Sequence, residues 1–458
     1  MAKYLLYLLP FCFWWQTNAQ SDNTLSLNYS LPDNDQWWQL FGDQILSQLI
    51  QQAITHNYDL QSALKKIEIA KSKMRIARSE FYPELSSTIE YGPEKSSQGI
   101  DQSNSYHRIG QAGVQLNWEL DLLGRIRKNV KAQKEYYQAS QEDYRGVMVA
   151  LAAEVANSYI LLRSYQQQWE ITQANLSSQA EILHLNEVKA QAGLTSQLAV
   201  AQSKSLWLET KATLPGIESS IHEQATTLLT LLGQYSDTLR QQLLHNQPLP
   251  AITGIQIQGI PAKLLRQRPD IHSAEKNIEA LAATVGATRA DWWPQFYLKG
   301  SIGYGNHYFE QFFKKENLTW QIAPSIQWTI FKGRQLTENL RLAQIQLDEG
   351  IEQYNETLLT ALQEIDHALF AYHQSLQQLQ ATESAFEQIQ LTLDYAIDLY
   401  NQGLTDYQSV LDSQRNVLTY ENTLLNARSN TLQLLIQIYK AVGGGFQPPS
   451  FSKSNLSL

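Results

Sequence analysis

Cysteine is almost absent from this chain of 458 residues, in which Cys12 is the only one. A single cysteine cannot form an intramolecular disulfide, and it cannot supply the several thiolates of a structural zinc site or an iron–sulfur cluster. The nine histidines are scattered, without a His-Glu-x-x-His pattern or another metal-ligand spacing. We therefore expect no metal and no other cofactor.

Clustered positive charge is also missing. Only 17% of the residues are charged, the net charge is −9, and Lys and Arg form no block. A nucleic-acid-binding surface needs a basic patch, so we expect no nucleic-acid partner. The 11 Trp, 23 Tyr and 13 Phe argue against a disordered chain.

Long apolar runs are lacking except at the N-terminus. Residues 4–15 are apolar and follow Lys3, but they are too few to cross a bilayer as a helix. Together with Thr17-Asn18-Ala19 they predict a signal peptide over 1–19. Cys12 lies inside this stretch, after Phe11, so no lipid anchor is expected. No later run resembles a transmembrane helix, and a β-barrel remains the open route into a membrane.

The chain contains two copies of one unit. Residues 78–83 match 289–294 at an offset of 211, and Gly193-Leu194-Thr195 equals Gly403-Leu404-Thr405 at an offset of 210. A period this long indicates duplication of a domain-sized unit. We predict an extended segment over 20–42, repeats over 43–233 and 262–443, a linker over 234–261, and a C-terminal tail over 444–458.

Each repeat is predicted to contain a first helix, two strands and a very long helical hairpin. The first helix of repeat 1 is expected over 43–82. Residues 125–192 and 334–402 contain no proline, and apolar residues recur every three or four positions, as in coiled coils. A helix of that length measures on the order of 100 Å. Gly193 and Gly403 are expected to end these helices, with Thr195 and Thr405 as N-caps of the return helices.

Four segments alternate between apolar and polar residues, which predicts strands over 84–91, 112–122, 296–304 and 320–330. They form two predicted hairpins, at about 84–122 and 296–331. Alternation alone favours an ordinary soluble sheet, but export and the strand lengths also suit a membrane barrel. Aromatic residues near the strand ends would then form a girdle: Tyr91, Trp118, Tyr304, Trp320 and Trp328. Four strands cannot close a barrel, so two copies would give eight strands and three would give twelve.

Signals for catalysis are weak. Glu119 and Asp121 share one predicted strand face and could suggest paired carboxylates, but a solvated face explains them better. Gly443-Gly444-Gly445 lacks the Lys-Ser/Thr of a phosphate loop. Binding or transport is therefore favoured over an enzyme.

Several motifs together resemble the outer-membrane factor family of TolC-like ducts, in particular the NodT-type components of RND efflux systems. The motifs are Trp37-Trp38-x-x-Phe41-Gly42-Asp43, residues 118–125 (WELDLLGR), residues 264–271 (LLRQRPDI), residues 407–415 (YQSVLDSQR) and residues 438–446 (IYKAVGGGF). They occur in order over almost the whole chain after the signal peptide.

The resemblance implies a homotrimer in the outer membrane, with a 12-stranded β-barrel continuous with a long periplasmic α-helical barrel. It implies passive export of drugs or other toxic small molecules, with a periplasmic adaptor and an inner-membrane RND-type pump as partners. The tips that meet the adaptor would be Gly193, Leu194, Thr195, Gly403, Leu404 and Thr405. The periplasmic gate would include Asp412, Arg415, Gln408 and Gln202, with Arg415 or another donor offsetting the ring of Asp412 carboxylates. Gln408 stands where relatives often have an apolar residue.

Two other functions stay open at this point. The same architecture could serve a type I protein-secretion system, and a soluble periplasmic coiled-coil scaffold would explain the long helices alone. An exported hydrolase is disfavoured, because no nucleophile and base are found at a suitable spacing.

Overall fold

The computed structural model describes residues 37–95, 106–250, 267–306 and 312–444. The predicted signal peptide with Cys12, most of the 20–42 segment, residues 251–261 of the linker, residues 264–266 of the RPD-containing motif and the tail beyond 444 lie outside them.

Repeat 1 begins with two helices rather than one. A 3₁₀ turn at Trp37–Phe41 precedes helices α1 (Gln44–His56) and α2 (Tyr58–Ser79). The prediction of one helix over 43–82 is wrong because Asn57 interrupts it. The Asn57 side chain accepts hydrogen bonds from Asp59 N and Leu60 N and donates to Leu231 O, at 2.9 Å, so it starts a new helix. Strands β1 (Glu84–Lys95) and β2 (Tyr106–Leu120) follow.

The helices then follow the predicted repeat closely. Repeat 1 continues with α3 (Arg125–Gln191), α4 (Gln197–Leu231) and the short α5 (Asp237–Leu244). Repeat 2 consists of α6 (Pro269–Ala290), β3 (Gln295–Asn306), β4 (Leu318–Gln327), α7 (Gln335–Asn401) and α8 (Tyr407–Ala441). Helices α3 and α7 both have 67 residues, and α4 and α8 both have 35. The mainly helical fold with a two-fold internal repeat is confirmed.

Each 67-residue helix is about 100 Å long and is flanked by two shorter helices. The 22-residue α2 and α6 cover the half near the sheet, and the 35-residue α4 and α8 cover the half away from it. Helix α3 also contains an 18-residue stretch that is long and apolar enough to cross a membrane, but 56% of that stretch is buried within the chain. Packing between helices accounts for its apolar character.

The main core lies where the two hairpins, α1 and the N-terminal turn meet, about midway along the long helices. It combines residues 151–162 of α3 with the ends of α4 and α8, and Trp37 stacks on Tyr439 with ring centroids 5.2 Å apart. This accounts for the Trp-Trp-x-x-Phe motif, whose three aromatic side chains are buried. A second, smaller core lies at the tips of the hairpins.

The four strands form one antiparallel sheet in the order β1-β2-β3-β4. Its register aligns the predicted faces: Leu85, Leu116, Gly300 and Ile322 share one row, and Ser86, Gln115, Ser301 and Gln321 share the next. One face is therefore apolar and the other polar across all four strands. Several predicted strand bounds are wrong. Strand β1 runs four residues further, to Lys95, and β2 begins six residues earlier, at Tyr106. Strands β2 and β4 end early, at Leu120 and Gln327, which leaves Leu122, Trp328 and Ile330 beyond the ladder.

Candidate functional site

The two hairpins end in nearly identical turns. Gly193 and Gly403 adopt φ values of 72° and 74°, a left-handed conformation that only glycine adopts without strain. The amide of Leu194 donates to Lys189 O at 2.8 Å, and that of Leu404 donates to Leu399 O at 2.9 Å. These are the hydrogen bonds of a Schellman motif, which satisfy the last carbonyls of α3 and α7.

The return helices are capped one residue later than predicted. Ser196 caps α4 and Asp406 caps α8, through hydrogen bonds from Ala199 N and Ser409 N. The prediction of Thr195 and Thr405 as N-caps is wrong because the turn extends by one residue. Both turns leave a leucine in solvent, with Leu194 77% and Leu404 69% exposed. A Schellman motif usually buries the residue at this position, so the two leucines form an apolar surface available to another molecule.

The two tips are joined within the chain by Tyr400, which lies in the predicted helical seam of repeat 2. Its hydroxyl donates to Asn186 Oδ1 at 2.7 Å, across the interface between α7 and α3. Lys189 Nζ lies 4.0 Å from the centroid of the Tyr400 ring, and Tyr407 packs against its edge. Tyr400 and Tyr407 are both buried, and burial raises the pKa of Tyr407 to about 12.

A groove of about 760 Å³ separates the two tips. Leu194, Leu198, Gln202, Tyr407 and Gln408 are among its lining residues, so it contains both apolar and amide side chains. The structure thus brings most of the predicted tip residues and two of the predicted gate residues to one surface.

Three predicted gate residues form a continuous chain of side-chain hydrogen bonds. Gln202 Nε2 donates to Gln408 Oε1 at 3.2 Å, and Gln408 Nε2 donates to Asp412 Oδ1 at 3.0 Å. The donor to Asp412 is therefore Gln408. Arg415 instead pairs with Glu209 on α4, at 3.7 Å. The Gln202–Gln408 bond and the Arg415–Glu209 pair link α8 to α4, and both lie in solvent-exposed positions.

Buried polar groups occur along α3 both in its midsection, where two nitrogens of Arg163 lack a hydrogen-bond partner within the described chain, and in its tip half. Gln179 and Asn186 are both buried. The side-chain nitrogen and oxygen of Gln179 and the Nδ2 atom of Asn186 have no hydrogen-bond partner within the described part of the chain. Glu421 on α8 accepts from Asn175 Nδ2 at 2.9 Å, and burial raises the pKa of this carboxyl. Unsatisfied polar groups cost free energy, so Gln179 and Asn186 weaken the packing of the tip half of α3.

The polar face of the sheet is concave and encloses about 670 Å³. Its lining is rich in amides and hydroxyls and includes Glu84 and Lys299. The opposite face exposes large apolar side chains, among them Ile89, Trp320 and Ile322. A polar concave face and an apolar convex face are what a barrel with an aqueous lumen requires.

The predicted aromatic residues fall into two groups along the strands. Tyr91, Tyr304 and Trp320 lie toward the end far from the helices, while Trp118 and Trp328 lie at the helical end. From Trp320 to Trp328 the chain advances eight residues, about 26 Å in extended form. Trp118 and Trp328 also make matching contacts in the two repeats: their indole N–H groups donate to Phe81 O at 2.9 Å and Trp292 O at 3.1 Å.

The two acidic residues of the β2 motif have structural roles at the junction between sheet and helices. Arg125 forms a bidentate pair with Glu119, both bonds being 2.8 Å, which raises the pKa of the arginine. Asp121 accepts from the backbone amides of Ile126 and Arg127 and thereby caps α3. Within the described residues, no group of acidic, histidine or cysteine side chains is arranged to hold a metal ion.

The Arg-Pro-Asp motif holds the C-terminal end of α8, the end of the second hairpin that lies away from its tip. Arg268 Nη1 donates to Ala441 O at 2.6 Å, and the same guanidinium bonds Asp270 and Glu364. Asn57 occupies the equivalent position in repeat 1 and donates to Leu231 O. The last carbonyl of α4 is thus bound by an asparagine, and the last carbonyl of α8 by an arginine.

With this geometry established, the chain can be compared with known proteins. A model of the outer membrane efflux protein family matches residues 49–234 and 260–444. The chain belongs to the outer membrane efflux protein family. The solvent efflux pump outer membrane protein SrpC of Pseudomonas putida is 33% identical over 414 residues, which are 89% of this chain and 87% of SrpC. The cation efflux system protein CusC of Escherichia coli is 28% identical over 90% of this chain and 89% of CusC.

Solved structures agree with this placement. The outer-membrane channel OprN superposes with a TM-score of 0.84 at 29% identity, over 89% of this chain and 92% of that chain. The outer membrane protein VceC of Vibrio cholerae gives 0.82 at 27% identity, over 91% and 100%. The predicted family, the fold class and the function as an outer-membrane efflux component are confirmed. The roles assigned to individual site residues stay predictions.

Proposed function

We propose that this efflux protein is the passive outer-membrane duct of a tripartite pump, and that it has no enzymatic activity. The observation that carries the proposal is the sheet, which has one polar concave face, one apolar convex face and two edge strands, β1 and β4, within the described chain. An open edge cannot lie in hydrocarbon, because its backbone groups would stay unpaired. The edges must therefore pair with other copies.

Three copies would give a 12-stranded barrel, and the long helices below it would form a tube of about 100 Å. A homotrimer of this shape spans the outer membrane and extends through the periplasm. Its export depends on cleavage of the signal peptide proposed for residues 1–19, without lipid attachment at Cys12.

The partners are a periplasmic adaptor and an inner-membrane RND-type pump that supplies the energy. The exposed Leu194 and Leu404, together with the groove between the tips, support adaptor docking at this end. Relatives are named for the efflux of solvents and cations. We propose toxic small molecules as the cargo of this chain.

The gate lies at the same tips. Separation of the two hairpins would break the Tyr400–Asn186 and Gln202–Gln408 hydrogen bonds, while the main core midway along the helices keeps its packing. A small core with exposed polar contacts at the tip and a much larger core midway suit an opening movement that is confined to the tip half.

Membrane fractionation followed by mass measurement in detergent tests the duct. The protein should enter the outer-membrane fraction and run at three times the mass of one chain. A water-soluble monomer would overturn the proposal and favour a periplasmic scaffold.

Planar-bilayer recordings test the gate. Asp412→Ala and Arg415→Ala should raise the single-channel conductance. Arg415→Ala removes the pair with Glu209 on α4, and Asp412→Ala removes the hydrogen bond that orients Gln408 toward Gln202 on α4. Asp394→Ala, an exposed aspartate on α7, is the matched control. Equal conductance in all three variants and the native protein would show that Asp412 and Arg415 do not hold the gate.

A further inference from the structure

Phe312, which begins the described part of the segment before β4, lies over the apolar face of the sheet at the end far from the helices. The Phe312 side chain is buried there, and a methyl group at Gly110 would lie only 3.1 Å from its ring. Gly110 belongs to the same face as Ala112 and Val114, so Phe312 covers the convex side rather than the lumen.

Aromatic side chains continue outward from this point. Phe313 packs edge-on against Tyr304, with ring centroids 5.6 Å apart, yet it is 74% exposed. Trp320 is 71% exposed on the same face, one strand further. Tyr304 pairs with Leu318, which places these rings at nearly one level along the strands. Exposed aromatic residues at one level are typical of a membrane interface.

Two lysines follow these aromatic residues directly. Lys314 and Lys315 are exposed, and neither forms an ion pair with another residue in the described ranges. Glu316 is also exposed, so the turn carries a net charge of about +1. Lysines just beyond an aromatic level lie at the depth of lipid headgroups, where they attract anionic groups.

We propose that Lys314 and Lys315 bind the phosphate groups of anionic lipids in the outer leaflet, while Phe313 and Trp320 enter the boundary of the acyl chains. This inference rests on the proposed membrane barrel, which places the end of the sheet far from the helices at the outer surface. Each lysine near an anionic surface is expected to enrich such lipids about fivefold.

Fluorescence quenching by brominated lipids tests the site on the complete, detergent-purified protein. The protein is reconstituted into phosphatidylcholine vesicles that contain brominated phosphatidylglycerol, and the contribution of Trp320 is obtained by subtracting the signal of Trp320→Phe. Quenching of Trp320 should exceed the value for random lipid mixing. The double variant Lys314→Gln/Lys315→Gln should return it to that value.

Lys332→Gln removes an exposed lysine at the helical end of the sheet and should leave the quenching unchanged. Added inorganic phosphate should also leave it unchanged, because the site is proposed to need a lipid-borne phosphate at the membrane surface. Random quenching in the native protein, or full quenching in the double variant, would overturn the lipid site alone. Failure of the native protein to insert into vesicles would instead overturn the membrane barrel and the lipid site with it.

Discussion

Tyr400→Phe is the substitution that tests most directly whether the contact between the hairpins holds the tips together. The phenylalanine ring keeps the position of the tyrosine ring between Lys189 and Tyr407, so the apolar packing is preserved. The hydroxyl takes with it the hydrogen bond of 2.7 Å to Asn186 Oδ1 and a longer one of 3.5 Å to Thr195 Oγ1. Asn186 is fully buried and its Nδ2 already lacks a partner within the described chain, so water cannot readily replace the lost donor.

The size of the effect follows from the cost of an unsatisfied buried acceptor, about 1–3 kcal/mol. At ~1.4 kcal/mol, the equilibrium between packed and separated tips shifts about tenfold for each chain toward separation. Asn186 Oδ1 accepts no other hydrogen bond within the described chain, so no remaining contact compensates for the lost free energy in the packed state. We therefore expect the open state to be visited far more often.

Single-channel recordings in planar bilayers measure this shift as a larger open fraction or a higher mean conductance. Tyr395→Phe provides the matched control, since Tyr395 lies on the same helix but is 65% exposed. In a double-mutant cycle, Asn186→Ala combined with Tyr400→Phe should change conductance by less than the sum of the single changes. Additive effects, or a conductance in Tyr400→Phe equal to that of the control, would refute a role for this hydrogen bond in closure.

Three further predictions concern stability and can be measured by thermal or chemical unfolding. Asn57→Ala removes the N-cap of α2 and the hydrogen bond to Leu231 O, and should lower the free energy of unfolding by ~2 kcal/mol. An unchanged free energy of unfolding would mean that the break between α1 and α2 needs no cap. Burial raises the pKa of Glu421 above its ordinary value of 4.5, so the folded chain binds this proton more tightly than the unfolded chain, and stability should fall as the pH rises from 4.5 through the raised value. Glu421→Gln should abolish that loss, and an identical pH profile would contradict it. Trp328→Phe should cost ~1 kcal/mol by removing the bond to Trp292 O, with Trp320→Phe on the exposed face as the neutral control.

Most of the fold could be predicted because its elements have strong periods. In residues 125–191 and 335–401, apolar side chains recur every three or four positions and proline is absent. In the strands, apolar and polar residues alternate. The errors occur where a distant residue decides the local structure. The break at Asn57 depends on Leu231, 174 residues away, and β4 ends where Trp328 turns to bond Trp292 O.

The site was predicted less completely than the fold. The glycine turns at 193 and 403 are identical in sequence and were found from the repeat. The hydrogen-bond partner of Asp412 could not be predicted from sequence spacing, because Gln408 and Arg415 both lie about one helical turn from it on the same helix. Tyr400 and Asn186 lie 214 residues apart, and each looks like an ordinary seam position until the two hairpins are placed side by side.

The two hairpins differ most where they touch each other. At the repeat offset of 210, Tyr400 corresponds to Ala190 and Asn186 corresponds to Ala396, so the hydrogen bond that joins α7 to α3 has no counterpart in the other direction. Asp412 likewise corresponds to Gln202. In a ring of copies, each hairpin would meet one neighbour inside its own chain and one across a subunit boundary, and only the contact inside the chain carries the tyrosine bond. Opening by separation of the hairpins within a chain would therefore break a specific polar contact, for which the alanines at positions 190 and 396 offer no equivalent. The duplication thus supplies two similar helical pairs, and the polar contact between their tips depends on residues that differ between the two copies.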